Sequence, residues 1–218
     1  VSMGEGAPGY PPPRFLKDFM MEAIEGEFNQ YCRTFGQPAL VQAIADLYGP
    51  KLGRKLDPFK EILVTSGANG SLSSYILALV NPGDEMVLFE PTFPMYFDHL
   101  QMSGGTLKSV PLKVKDGLWV FDPAELRAVL SSKTKLLILN SPHNPTGKCF
   151  TREELEQISE ILKDFPDVVV LSDEVYDFLT FDGLEHIPFA TIGDNWKKTV
   201  TIYSGGKLLN ATGWKVGW

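Results

Sequence analysis

Val168-Val169-Val170-Leu171-Ser172-Asp173-Glu174-Val175-Tyr176 is the stretch on which the fold turns. Four consecutive apolar residues read as a short buried strand. The strand runs directly into polar sequence, with a carboxylate at its exit and a phenol three residues later. Outward from it, the same rhythm returns in both directions. Candidate strands fall at Ile62–Thr65, Met86–Phe89, Leu107–Leu112, Leu136–Leu139 and Val200–Tyr203, separated by helical patterns or loops. From Leu40, the residues Ile44 and Leu47 keep helical spacing, and a strand-to-helix switch is expected at Ser66-Gly67. Asp122-Pro123-Ala124-Glu125 and Thr151-Arg152-Glu153-Glu154 each set a capping residue three positions before a glutamate, the spacing of a capping box. Gly4 through Pro13 is too rich in glycine and proline for a helix and reads as an arm or loop. The whole is the pattern of an α/β domain with a mainly parallel central sheet flanked by helices.

Composition narrows the function classes. With 218 residues, 44% of them hydrophobic, the chain can fill one sizeable core, or one core and part of another. The net charge of −7 comes without any lysine or arginine block, which argues against nucleic acid or an anionic membrane and favours a small-molecule partner. Cys32 and Cys149 lie far apart with no CxxC spacing, so no disulfide framework or zinc site is indicated, and a reducing compartment is expected. The apolar runs are far shorter than the roughly 20 residues that cross a bilayer, and no targeting segment is visible. His99, His143 and His186 have no metal-ligand spacing and read as ordinary loop or surface residues; no metal is expected.

In a parallel α/β sheet, ligands gather beyond the carboxyl ends of the strands, where loops and helix N-termini aim into one crevice. Four such ends carry chemistry. Besides Asp173 and Tyr176, the strand Leu136–Leu139 ends in the tight polar loop Asn140-Ser141-Pro142-His143-Asn144-Pro145-Thr146-Gly147. Val200–Tyr203 ends in Ser204-Gly205-Gly206-Lys207, where two glycines let the backbone approach a ligand beside a lysine. Ser66-Gly67-Ala68-Asn69-Gly70 precedes a helical pattern, a natural seat for phosphate. Taken one at a time, each has a bland reading as a solvated turn or a surface lysine. Together they point to a single ligand.

In this combination the chain resembles the class I/II pyridoxal-phosphate aminotransferases, through Asn144-Pro145-Thr146-Gly147, Asp173-Glu174-Val175-Tyr176, Ser204-Gly205-Gly206-Lys207 and Gly213-Trp214-Lys215-Val216-Gly217. Gly4-Glu5-Gly6-Ala7-Pro8, Asn29-Gln30-Tyr31 with Thr34-Phe35-Gly36, and the closing Ala211 to Trp218 are most similar to the branch of kynurenine aminotransferases, glutamine transaminase K and cysteine-conjugate β-lyases. The resemblance implies a fold type I large domain over 26–218, incomplete at its C-terminus, with 1–25 as an N-terminal arm or part of a small domain whose C-terminal portion is missing. It implies pyridoxal 5′-phosphate as cofactor and Lys207 as the residue that forms the Schiff base and carries the proton at the substrate's Cα. Asp173 would pair with the pyridinium nitrogen, Asn144 and Tyr176 with the phenolic oxygen, and Phe93 with the ring face. Ser204, Lys215 and the backbone N–H groups of Ala68 and Asn69 would hold the phosphate; many relatives carry arginine where Lys215 stands, and lysine lacks that fork. Tyr31 resembles the tyrosine sent from the partner subunit in a homodimer. Gly6 and Asn144 would lie against the substrate.

The implied reaction moves an amino group from an L-amino acid, of the kynurenine, glutamine, aromatic or sulfur-containing kind, to a 2-oxo acid, in the cytoplasm or mitochondria. Three other readings compete. β-Elimination from cysteine conjugates uses the same lysine and ring partners. A shortened, inactive remnant could bind cofactor or partner without turnover. Ser204-x-x-Lys207 also matches a serine-lysine acyl hydrolase, but the accompanying Ser-Asp-Asn and Lys-Thr-Gly motifs are absent. Gly4-x-Gly6-x-x-Gly9 matches a dinucleotide fingerprint with no strand before it and Pro8 inside it, and is rejected as chance.

Overall fold

The computed structural model describes residues 9–218. They fall into two compact units, one made of 69–203 and the other of the residues up to 68 together with 204–218.

The 69–203 unit is built on a five-stranded sheet. Its strands are β2 (Glu85–Glu90), β3 (Thr106–Pro111), β6 (Thr134–Asn140), β7 (Val169–Asp173) and β8 (Thr199–Ile202), in the order β3-β2-β6-β7-β8 with every pairing parallel. Parallel strands covered on both faces lose the polar alternation of an open sheet. Accordingly, Leu136 to Asn140 are buried without a break. Val87, Phe89, Leu137, Leu139 and Val170 form one face and share a core with Leu126 of α5 (Pro123–Val129) and with Leu155, Ile158 and Ile161 of α6 (Arg152–Ile161). Met86, Leu88, Leu136, Ile138 and Leu171 on the alternate positions are equally buried.

Both expected helix starts are present. Thr151 and Glu154 form the full reciprocal capping box of α6. Asp122 caps α5 through Ala124 N, but Glu125 turns away to Lys113, so that box is only half made. The remaining helices of this unit are α4 (Met95–Ser103) and the body of α3 (Gly67–Leu79). A hairpin, β4 (Lys113–Lys115) with β5 (Leu118–Val120), was not anticipated, although Asp116-Gly117 announces it: both residues have positive φ, as a two-residue type I′ turn requires.

In the other unit, α1 (Arg14–Glu25) begins after Pro13 and buries none of its residues. α2 (Pro38–Lys51) opens with proline at its first position and a Gln37 side-chain cap, and buries Val41, Ile44, Ala45 and Tyr48. The expected strand at Ile62–Thr65 is corrected here. Only β1 (Thr65–Ser66) is strand, and it pairs antiparallel with β9 (Val216–Gly217) instead of joining the five-stranded sheet. Ile62 is buried but Leu63 is exposed, and Val64 donates to Phe35 O, so the apolar run is shared between a loop contact and a two-residue ladder. The short α7 (Gly205–Leu208) completes the unit. No helix among the described residues is long and apolar enough to cross a membrane.

Candidate active site

Within 69–203, the carboxyl ends of β6 and β7 carry the chemistry. Asp173 closes β7 and is buried. A buried carboxylate is tolerable only with hydrogen-bond donors around it. The Tyr96 hydroxyl on α4 donates to its Oδ2 at 2.6 Å, and Val175 N lies 3.4 Å from Oδ1. Burial, then the neighbouring Asp173, push the Tyr96 phenol well above its ordinary pKa, so Tyr96 stays a donor. Tyr176 is also raised, first by burial and then by Asp173, while a hydrogen bond from the Asn144 side chain draws it down. Tyr176 is therefore within reach of both Asp173 and Asn144.

The loop that presents Asn144 is tied down by Asn140, at the end of β6. Its Nδ2 donates to Asp173 O at 2.8 Å and to Pro142 O at 3.2 Å, and its Oδ1 accepts from Asn144 N at 2.7 Å. Glu174 is wholly buried and fully engaged: Ser172 Oγ, His186 Nε2, Tyr203 Oη and Phe189 N all reach it, at 2.8, 2.8, 3.0 and 3.3 Å. Phe93 packs edge-on against Tyr96, with centroids 5.7 Å apart at 85°.

The histidine reading is corrected for His99, which is buried in a helix; His143 and His186 do lie in loops, with their side chains turned inward. His99, on α4, is buried and its Nε2 lies 2.9 Å from Asn69 Oδ1. His143 is buried against Thr146, and desolvation, then Lys148, lower its pKa to about 4. His186 holds Glu174. None of the three side chains lies open at the surface: each pairs a ring nitrogen with a polar side chain, a role that metal spacing does not test. Tyr96, His99, Asn140 and Glu174 were not singled out from sequence. Glu174 lies inside a quoted motif, and Phe93, Tyr96 and His99 share a three-residue spacing that becomes visible only once residues 95–103 are read as a helix.

The other unit holds the candidate anion donors. Gly217 in β9 passes so close to the start of α3 that a Cβ there would lie 2.3 Å from Ala68 N and 2.4 Å from Gly67 C, so no other residue fits. The second glycine of Gly213-Trp214-Lys215-Val216-Gly217 thus has a steric cause. Gly67, at φ +71°, faces the backbone and side chain of Lys215, itself held in the left-handed region at φ 55°. Ser204 forms a bridge with Gly217, and its Oγ accepts from Lys207 N, leaving its own O–H available to donate. Gly206 is required too, since a Cβ would meet Thr212 Cα at 2.8 Å. Ser204, Lys215 and the α3 N-terminus are thereby gathered by glycine-dependent close approaches, a donor set suited to a phosphate. Lys207 is half-buried in α7, and Tyr31 is fully exposed in the segment before α2. Gly6 lies outside the described residues.

Comparison with known proteins agrees with this chemistry. The family model for aminotransferase class I and II matches residues 1–218. Kynurenine–oxoglutarate transaminase of Dictyostelium discoideum is 45% identical over the whole chain, and kynurenine–oxoglutarate transaminase 1 of Homo sapiens is 42% identical; the chain spans 54% of each. Among solved structures, N-succinyldiaminopimelate aminotransferase from Mycobacterium tuberculosis superposes with a TM-score of 0.95 at 38% identity, covering 99% of this chain and 56% of that one. Bna3p of Saccharomyces cerevisiae, described as a putative kynurenine aminotransferase, gives 0.94 at 36% identity, with 99% and 53% covered. The chain spans about half the length of the relatives it matches.

Proposed function

The chain belongs to the class I and II aminotransferases, whose cofactor is pyridoxal 5′-phosphate, and from that membership we propose that it acts in moving an amino group from an L-amino acid to a 2-oxo acid. The observation that carries the reading is the buried Asp173, held by Tyr96, beside the Asn144–Tyr176 pair. A buried acid held in place by fixed donors suits a ring nitrogen that must keep its proton. The names of the relatives support kynurenine as an amino donor and 2-oxoglutarate as acceptor, with aromatic, glutamine-like or sulfur-containing amino acids as the wider donor class.

The bound cofactor supplies an electron sink for the pair of electrons left at the substrate's Cα. Lys207 is proposed as the residue that would hold the cofactor covalently, and its Nζ would be the base that holds and moves the substrate's Cα proton. Asp173 would accept the hydrogen of the ring nitrogen. Tyr176 and Asn144 would donate to the phenolic oxygen, and Phe93 would cover a ring face. Ser204, Lys215 and the N–H groups of Ala68 and Asn69 would hold the phosphate. Tyr31 is proposed to act from one protomer on its partner in a homodimer; its complete exposure fits that role.

Incubation with pyridoxal phosphate, reduction with borohydride and peptide mapping test the reading. The expected result is a single stable adduct on Lys207. A folded protein that yields no adduct, or one on another lysine only, overturns it.

A further inference from the structure

α4 touches three of the candidate cofactor residues from one side. Phe93 precedes the helix by two residues, and Tyr96 and His99 follow at intervals of three, so the three side chains stack along one face. Tyr96 Oη donates to Asp173, its ring meets Phe93 edge-on, and His99 Nε2 reaches the Asn69 side chain in the first turn of α3. With an amide oxygen as acceptor, Nε2 carries the hydrogen.

Packing alone does not explain these residue types. Tyr96 is 1% exposed, and phenylalanine would fill the same space without a hydroxyl to satisfy. His99 is 5% exposed and its Nδ1 has no hydrogen-bond partner among the described residues. A buried ring nitrogen left unpaired is unfavourable, so a leucine would pack there at less cost. Both side chains spend their polar atoms on residues proposed to bind cofactor. Resting on the cofactor reading above, we propose that Tyr96 and His99 are positioning residues: Tyr96 aims the acid at the ring nitrogen, and His99 aims the phosphate-binding turn at Asn69.

The two roles predict opposite ligand signatures. In the full-length protein, dissociation constants are measured for pyridoxal phosphate, for pyridoxal, which lacks the phosphate, and for the 1-deaza analogue of pyridoxal phosphate, in which carbon replaces the ring nitrogen. Tyr96→Phe is expected to weaken pyridoxal phosphate about tenfold and to leave the deaza analogue within about twofold. His99→Leu is expected to weaken pyridoxal phosphate about tenfold and leave pyridoxal within about twofold, with His99→Gln, whose amide can still donate to Asn69, recovering most of the loss. Thermal melting without cofactor should stay close to wild type for Tyr96→Phe. Equal weakening of all three ligands, or none, overturns the proposal, because a purely structural role cannot tell the ligands apart. A wild-type protein that binds pyridoxal phosphate at Lys207 while the variants show no selectivity sinks this proposal alone. No binding by wild type sinks both.

Discussion

In residues 69–203, polar groups lie inside: Asp173, Glu174, Asn140, His99 and His143 are buried, and each has at least one named hydrogen-bond partner. In residues 9–35 the reverse holds, with Phe15, Phe19, Met21, Ile24, Phe28, Tyr31 and Phe35 at the surface and no residue buried. The first region has a core of its own, large enough to hold charged groups in fixed geometry. The unit formed by the residues up to 68 with 204–218 adds backbone devices, namely glycine contacts, a two-residue ladder and caps, to the apolar residues that α2 buries. Rigid positioning of an acid needs the former; wrapping an anion with N–H groups needs only the latter.

Three changes sharpen or break this contrast. Leu137→Ala, at the centre of the five-stranded sheet and fully buried, should cost about 2–5 kcal/mol by chemical denaturation. A loss under 1 kcal/mol would mean that the sheet core does not carry the stability of the 69–203 unit. His143 tests the buried polar groups through pH. Its folded pKa, about 4, lies below the ordinary 6.5, so the unfolded chain binds the proton first. Stability is therefore full above pH 6.5 and falls as the solution is acidified towards pH 4, by about 3 kcal/mol in total. His143→Gln should flatten that slope, and an unchanged profile would assign the acid sensitivity elsewhere. The smallest effect is expected for Phe19→Ala, on the exposed face of α1, at no more than about 0.5 kcal/mol. A larger loss would show that this surface is covered in the intact protein.

The centre of the sheet was legible because parallel strands covered on both faces are continuous apolar runs, as in β2, β6 and β7; the edge strands β3 and β8 alternate or are half-buried, and all five lie within a residue or two of the expected positions. Ile62–Thr65 has the same composition yet gives only two residues of ladder, since composition does not say which partner a strand finds. α4 was missed because Tyr96, His99 and Leu100 bury a face mixed in polarity, which periodicity of apolar residues does not register. With the helix unread, its two polar contacts could not be found either. The strand-end motifs needed no such reading: β6 and β7 are neighbours with Asn140 opposite Asp173, so the loops that bear Asn144 and Tyr176 leave the same end of the sheet, and Tyr176 is within reach of both Asp173 and Asn144.

The order β3-β2-β6-β7-β8 also governs how the sheet can come into being. Met86 must find Leu107, Val87 must find Leu137, and Leu137 must find Val170, each across an intervening helix or loop. Among the described residues, the Asp116-Gly117 hairpin is the one pairing of neighbouring strands that needs no such crossover. Long-range closure is slow in time even when its end point is stable, so refolding on the scale of milliseconds to seconds or beyond is expected, with apolar strand edges open to other chains until the last ladder closes.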